Sequence, residues 1–352
     1  MGLSAKAVVA IGGGPGIDVL LRGLKRYTAE LTAVVTTFDA SRQGRGDSEE
    51  TRSADGARTS LLALGADPVA TQIMERLFAY RLTAGEEPGG RTFGNLLLSA
   101  LTDIMGGSDR ALEAAAQVLN VQGRVLPLTL HSSSLVAELL DGREVLVRAP
   151  LELSAAAEGT GLHGVRLAQS IPALDSALRV IANADIIVLG STDLYFDVIA
   201  PLQLEGVREA IAASSAVKIF ICNLLTQRGT TAGWPASRFI RAVLDALQGP
   251  ANLDYVIMSS TPAPLHALAD LDEAGVAPVA LDLEECLSLG LDIIARPVSE
   301  SSGLHYDGEK LARTILFLGG ERVRRGAPAP APARHRESLL VPGILAPRGA
   351  DT

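Results

Sequence analysis

Cysteine and histidine are scarce in this chain, and each scarcity removes a class of function. Cys222 and Cys286 are the only cysteines among 352 residues. Two are too few for a disulfide framework or a cysteine-based zinc site, and the usage suits a reducing cytosol. Both are expected to be buried apolar filler. The five histidines, His131, His163, His266, His305 and His335, are scattered, so no general acid stands out. Basic charge is also short: 31 Lys and Arg against 40 Asp and Glu give a net charge of -9 and a pI near 5.2. That balance argues against a nucleic-acid surface, which needs clustered cations over a face. No uncharged stretch reaches the ~18 residues of a membrane-spanning helix, and the first residues lack the basic segment, apolar run and small-residue cleavage site of a signal peptide. The expectation is a cytoplasmic protein with no membrane span and no nucleic-acid partner.

What the chain does have is apolar residues, 47% of the total, enough for a sizeable core. It also has one stretch around which the rest is organised. Ala7-Val8-Val9-Ala10-Ile11 is an apolar run without polar alternation, the pattern of a strand buried on both faces. Gly12, Gly13, Gly14, Pro15 and Gly16 follow, and then Ile17, Leu20, Leu21 and Leu24 at helical spacing. A helix N-terminus above a glycine turn offers free N–H groups and a positive dipole end, which suits a phosphate. The dinucleotide pattern G-x-G-x-x-G is not completed: counted from Gly12 it ends on Ile17, and from Gly14 on Val19. A turn that merely joins strand to helix is the plain alternative. The second strand, Leu31 to Phe38, runs into Asp39, about 20 residues beyond the glycines, where a ribose-binding carboxylate is usual.

Further along, residues 40–57 read as a long polar loop carrying Arg42, Arg45 and Arg52. Helices are predicted at Arg58 to Leu64, Val69 to Leu82, Phe93 to Ile104 and Asp109 to Leu119. Residues 121–167 read as a small β-rich insertion, with Val125 to Leu128 as one piece and a hairpin turning at Asp141-Gly142. Residues 155–164 read as a loop with a lone His163. Strands at Ile186 to Leu189, Val217 to Ile221 and Tyr255 to Met258 alternate with helices at Glu205 to Ala213 and Ala236 to Leu247. The fold class is therefore α/β, a Rossmann-like doubly wound, mostly parallel sheet with its ligand at the carboxyl ends of the strands. Three loops converge there on Gly12: Gly190 to Asp193, Cys222 to Trp234, and Phe38 to Arg58. A last amphipathic helix is predicted from Gly308 to Leu318, so residues 1–320 form the domain. Residues 321–352, rich in Pro, Ala and Arg, read as a disordered tail.

Several motifs, in order, carry a resemblance. Gly12-Gly13-Gly14-Pro15-Gly16, Leu21-Arg22-Gly23-Leu24-Lys25, Gly94-Asn95-Leu96-Leu97-Leu98, Ala184 to Gly190, and Cys222-Asn223-Leu224-Leu225-Thr226-Gln227 resemble the bacterial gluconeogenesis factor family. That family is similar to the 2-phospho-L-lactate transferases of coenzyme F420 synthesis. The resemblance implies a nucleotide-binding domain that holds a UDP-sugar such as UDP-N-acetylglucosamine and regulates cell-wall synthesis and cell shape during gluconeogenic growth, with no firmly assigned reaction. It places Gly12, Gly13, Gly14, Gly16, Gly190, Ser191 and Tyr195 around the phosphates and Asp39 on the ribose. Gly94, Asn95, Asn223, Thr226, Gln227 and Gly229 position the rest.

The departures fall on the ligand loops. Gly14-Pro15-Gly16 stands where the family has glycine-threonine-glycine. Asp39-Ala40-Ser41-Arg42-Gln43-Gly44 keeps only the first acid of an Asp-Asp-Gly-Gly-Ser-Ser-Gly loop, and Asp193 stands where the family has serine. Asp193 either opposes a ligand phosphate or caps the following helix. Arg58, helped by Arg42 or Arg45, would supply the missing positive charge. Two other readings stay open. One is a transferase of a phospholactate or phosphoenolpyruvate fragment, which would use Mg2+ held by Asp39 and is weakened by the lost second acid. The other is a degenerate paralogue acting through a protein partner. A hydride-transfer enzyme is the weakest reading, and homo-oligomerisation is open. His305 precedes Asp307, which is expected to cap the last helix.

Overall fold

The computed structural model describes residues 6–36, 50–82, 92–131, 133–190, 192–249 and 252–324. The chain opens with strand β1 (Val8–Gly12), helix α1 (Gly14–Leu24) and strand β2 (Leu31–Val35). Four helices follow, α2 (Glu50–Ala63), α3 (Pro68–Phe78), α4 (Phe93–Met105) and α5 (Ser108–Val118). The chain then returns as strand β3 (Arg124–Pro127). Side-chain caps set two of these helix starts: Asp67 Oδ1 accepts from Val69 N and Ala70 N, and Thr92 Oγ1 accepts from Asn95 N.

A small unit comes next, made of β4 (Leu135–Leu139), β5 (Glu144–Val147), α6 (Pro150–Ala157) and β6 (Leu162–Leu167). Its three strands form an antiparallel sheet in the order β5-β4-β6. On β4 the alternate residues Leu135, Ala137 and Leu139 are buried, as the period of two requires when one face meets the core. The rest of the chain runs α7 (Asp175–Ala182), β7 (Ile186–Gly190), a six-residue π-helix (Leu194–Ile199), α8 (Ala200–Leu202), α9 (Val207–Ala213) and β8 (Val217–Ile221). It closes with α10 (Ala236–Ala246), β9 (Tyr255–Ser259), α11 (Leu265–Glu273), α12 (Leu283–Ser288), β10 (Asp292–Arg296) and α13 (Gly308–Arg324).

The main sheet has seven strands in the order β10-β9-β8-β7-β1-β2-β3, and every pairing in it is parallel. The chain therefore winds outward from β1 in one direction and, after β3, outward from β7 in the other, which is the doubly wound order. The five central strands β2, β1, β7, β8 and β9 are buried at every position. Alternate residues feed two cores: Val9 and Ile11 one layer of helices, Val8 and Ala10 the other. Both cysteines are buried; the Cys286 thiol donates to Asp282 Oδ1 at 3.5 Å and so is more than apolar filler, and burial pushes it up to about 12. No helix among the described residues is long and apolar enough to cross a membrane.

Four expectations shift. Residues 124–127 join the parallel sheet beside β2, so the separate β unit starts at Leu135. Residues 155–164 are not one loop, because α6 runs to Ala157 and β6 begins at Leu162. Helix α2 already starts at Glu50, within the segment read as loop. Helix α13 continues to Arg324, and residues 325–352 of the expected tail lie outside the described residues.

Helix α13 is seated on α1 by two glycines. A Cβ on Gly23 would fall on the backbone carbonyl of Gly308, and one on Gly308 would meet the carbonyl of Val19. Gly23 is thus required for close approach of the two backbones. Asp307 caps α13 as expected, accepting from Glu309 N and Lys310 N at 3.0 Å each.

Candidate functional site

Because β1 and β7 are neighbours whose following connections leave in opposite directions, their carboxyl ends diverge and leave a crevice. A cleft of about 670 Å3 occupies that place. Its floor is Gly14 and Gly16 after β1. One wall is Thr192, Asp193, Phe196 and Asp197 after β7, and the other is Asn223 to Gln227 after β8. Gly13 is extended and precedes α1, and Gly14 starts the helix at φ +59°, a value that favours glycine. The helix therefore begins three residues earlier than Ile17, with Pro15 in its first turn, where a missing N–H costs little.

Two carboxylates stand over this floor. Asp193 ends the loop after β7 and caps the π-helix, its Oδ1 accepting from Tyr195 N at 3.0 Å and Phe196 N at 2.8 Å. The cap reading holds, and the side chain also lines the cleft. Burial raises the Asp193 carboxyl above the usual carboxylate range, against the lowering effect of the cap bonds and of the Gln227 side chain. Replacing Asp193 by alanine is expected to cost about 1 kcal/mol of stability while Asp193→Asn costs little, as read by denaturant melts.

One helical turn on is Asp197, which sequence reasoning missed. Its Oδ1 accepts from the Thr36 hydroxyl at 3.3 Å and its Oδ2 from Asp193 N at 3.3 Å. A Cβ on Gly13 would meet this carboxylate, so Asp197 packs directly on the glycine loop. Burial, and then the neighbouring Asp193, push its carboxyl up to about 7. A group that accepts where a phosphate would be cradled is the main chemical peculiarity of the site. The available signal was the i, i+4 spacing of two acids opening a helix just after a buried strand.

The other expected residues divide. Asn223 donates through Nδ2 to Thr192 O at 2.9 Å and so ties the β7 and β8 loops together, while its Oδ1 is buried with no partner among the described residues. Thr226 lines the cleft, but its hydroxyl accepts from Ala277 N at 2.9 Å, which fixes the loop. Gln227 lines the cleft beside Asp193. Gly12 ends β1 beneath Thr192, Gly190 ends β7 in close contact with β8, and Gly229 turns its loop against Ser154 of α6. Tyr195 faces away from the cleft and meets the edge of Trp234, ring centroids 6.3 Å apart.

Arg58, Gly94 and Asn95 do not line the cleft. Gly94 makes room for Phe78 and the Arg58 stem, and α2 approaches the loop through Gly56 against Gly13. Asp39, Ser191, Arg42 and Arg45 lie outside the described residues. Arg148, which precedes α6, lines the cleft instead, as do His305 and Tyr306 from the loop before α13. The Tyr306 hydroxyl donates to Cys222 O and pins that loop to the end of β8. Nothing in the spacing of the sequence points to Arg148, because it arrives from the separate β unit. Among the described residues no three His, Cys, Asp or Glu side chains converge as metal donors.

The sequence profile of the family described as "2-phospho-L-lactate transferase CofD" matches residues 8–299. The chain is 33% identical over 320 residues to the "Gluconeogenesis factor" of Halalkalibacterium halodurans, covering 89% of this chain and 97% of that one. It is 31% identical over 321 residues to the "Gluconeogenesis factor" of Bacillus subtilis strain 168, covering 90% and 99%. Its fold is similar to the crystal structure of a protein member of the UPF0052 family from Bacillus halodurans, with a TM-score of 0.80 at 32% identity, covering 90% of this chain and 100% of that one. With a profile spanning most of the chain and relatives matched over nearly their full length, this chain belongs to the gluconeogenesis factor family, within the wider family of 2-phospho-L-lactate transferase CofD.

Proposed function

We propose that the cleft binds a nucleotide-sugar of the UDP-N-acetylglucosamine kind, and that the protein is a binding regulator of gluconeogenic growth, cell-wall synthesis and cell shape. The observation that carries this reading is the position and size of the cleft. About 670 Å3 opens at the switch point between β1 and β7 with a glycine loop and helix N-terminus as its floor, within the range of roughly 300–1,000 Å3 typical of small-molecule sites. Arg148 meets the phosphates, and the Asn223 to Gln227 wall meets the sugar or base.

A melting panel at pH 6 with UDP-N-acetylglucosamine, UDP, GDP and NAD tests it. A ligand at 100 times its dissociation constant adds about 2.7 kcal/mol, so a rise with the uridine ligands is expected to be plain. Arg148→Ala is expected to weaken that binding about tenfold, read by calorimetric titration, as the loss of one charge-assisted contact does. No rise with any uridine ligand at millimolar concentration moves the assignment to a second reading, a paralogue that has lost its ligand and acts through a protein partner. The carboxylate of Asp197 packed on Gly13 favours that reading.

A further inference from the structure

The π-helix has a second cleft on its other side. It measures about 660 Å3 and lies between β6, α9 and α10, with Tyr195 and Trp234 in its wall. Nothing in the nucleotide-sugar reading uses it.

Its chemistry is cationic, in a chain whose net charge is -9. Four guanidinium groups line it, and they are not equivalent. Arg166 is paired with Glu138 and Glu144, and Arg241 with Glu285. Arg238 has no carboxylate partner among the described residues and lies over the Trp234 indole, 4.2 Å from the ring centroid, which holds its plane. Arg208 has its Nε shut off from solvent, with no acceptor among the described residues. A buried donor on a charged group without an acceptor is costly, and an acceptor supplied from outside removes that cost. The acid lining the cleft is Asp245, exposed on α10.

The unmatched guanidiniums come from different elements, Arg208 from α9 and Arg238 from α10. A carboxylate is satisfied by one planar fork, whereas the three terminal oxygens of a phosphomonoester can meet two. Beside them, Val165, Leu167 and Ile199 provide an apolar surface for an uncharged body, and the cleft is too large for an inorganic ion alone. We propose that this cleft is a second ligand site, which takes a phosphorylated metabolite of sugar size with its phosphoryl group on Arg208 and Arg238.

The test uses the full chain and its single tryptophan. Trp234 stands in this cleft under Arg238, so its emission reports what enters. Hexose 6-phosphate and glycerol 3-phosphate are titrated at constant ionic strength beside inorganic phosphate and gluconate, with calorimetry run in parallel to catch binding that leaves emission unchanged. The expected result is saturable binding of a hexose or glycerol phosphate at submillimolar concentration. Arg208→Gln is expected to weaken it about tenfold or more, with nucleotide-sugar binding in the first cleft unaltered. Arg238→Gln, followed by calorimetry, serves if the Arg208 variant does not fold. Absence of both heat and emission change with every phosphate overturns the proposal. So does gluconate binding as tightly as hexose 6-phosphate, or full affinity in folded variants of both arginines.

Discussion

Asparagine in place of Asp197 is expected to tighten nucleotide-sugar binding at pH 8 by about tenfold or more, equal to roughly 1.4 kcal/mol. The carboxylate packs on Gly13, where a ligand phosphate would approach. Like charges a few ångströms apart cost on the order of a few kcal/mol at an effective dielectric near 20. Asparagine keeps one oxygen for the Asp193 N–H, turns its amide N–H to the Thr36 hydroxyl, which can accept, and removes the charge. Because the Asp197 carboxyl is pushed up to about 7, the parent protein is expected to bind better as pH falls from 8 to 6, and the variant to respond less.

Stability follows the same group. Between the ordinary carboxylate value of 3.8 and about 7, the folded chain holds a proton that the unfolded chain has released. Stability therefore declines as pH rises through that window and is level above it. Asp197→Asn is expected to remove this part of the decline and to melt higher than the parent at pH 8. Calorimetric titrations and melts at pH 6, 7 and 8 check both. Equal affinities and parallel pH profiles would show that Asp197 does not govern the anion cradle.

Valine in place of Gly23 is expected to be the most damaging single change outside the cleft. Its Cβ must occupy the space of the Gly308 carbonyl, a backbone atom that cannot step aside by a rotamer change. Overpacking of this kind costs about 3 kcal/mol, and more where backbone must move. Gly23→Val is therefore expected to lower the melting temperature by roughly 5 °C or more, or to prevent folding. A melt within a degree of the parent would mean that α13 is not held on α1 as described.

The buried strands were the most legible part of the chain. Val217 to Ile221 reads as a strand from its apolar run and is observed with the same bounds, because a strand covered on both faces cannot hide its composition. The edge strand β3 reads from sequence as part of the β-rich insertion but pairs with β2, since four residues with one exposed end look alike whether their neighbour is parallel or antiparallel. In the site, the floor of the cleft and the Asn223 to Gln227 wall could be read locally. Asp197 and Arg148 could not, because each acts through its distance from residues more than a hundred positions away: Asp197 beside Gly13 and Thr36, and Arg148 across the cleft from Gly14. Arg58 is expected at the ligand as a source of positive charge and Asn95 through its motif, and neither lines the cleft. The structure uses Gly94 beside them for packing against Phe78.

The seat of α13 on α1 also sets the order in which the domain can be built on the ribosome. Leu20, Leu21 and Leu24 belong to the same core as Leu311, Ala312 and Ile315, yet nearly the whole domain is synthesised between them. At roughly 5–20 residues per second, α1 meets α2 within seconds of its synthesis but waits tens of seconds for α13. During that time the apolar face that α13 covers in the finished domain has no partner from the C-terminal end of the chain.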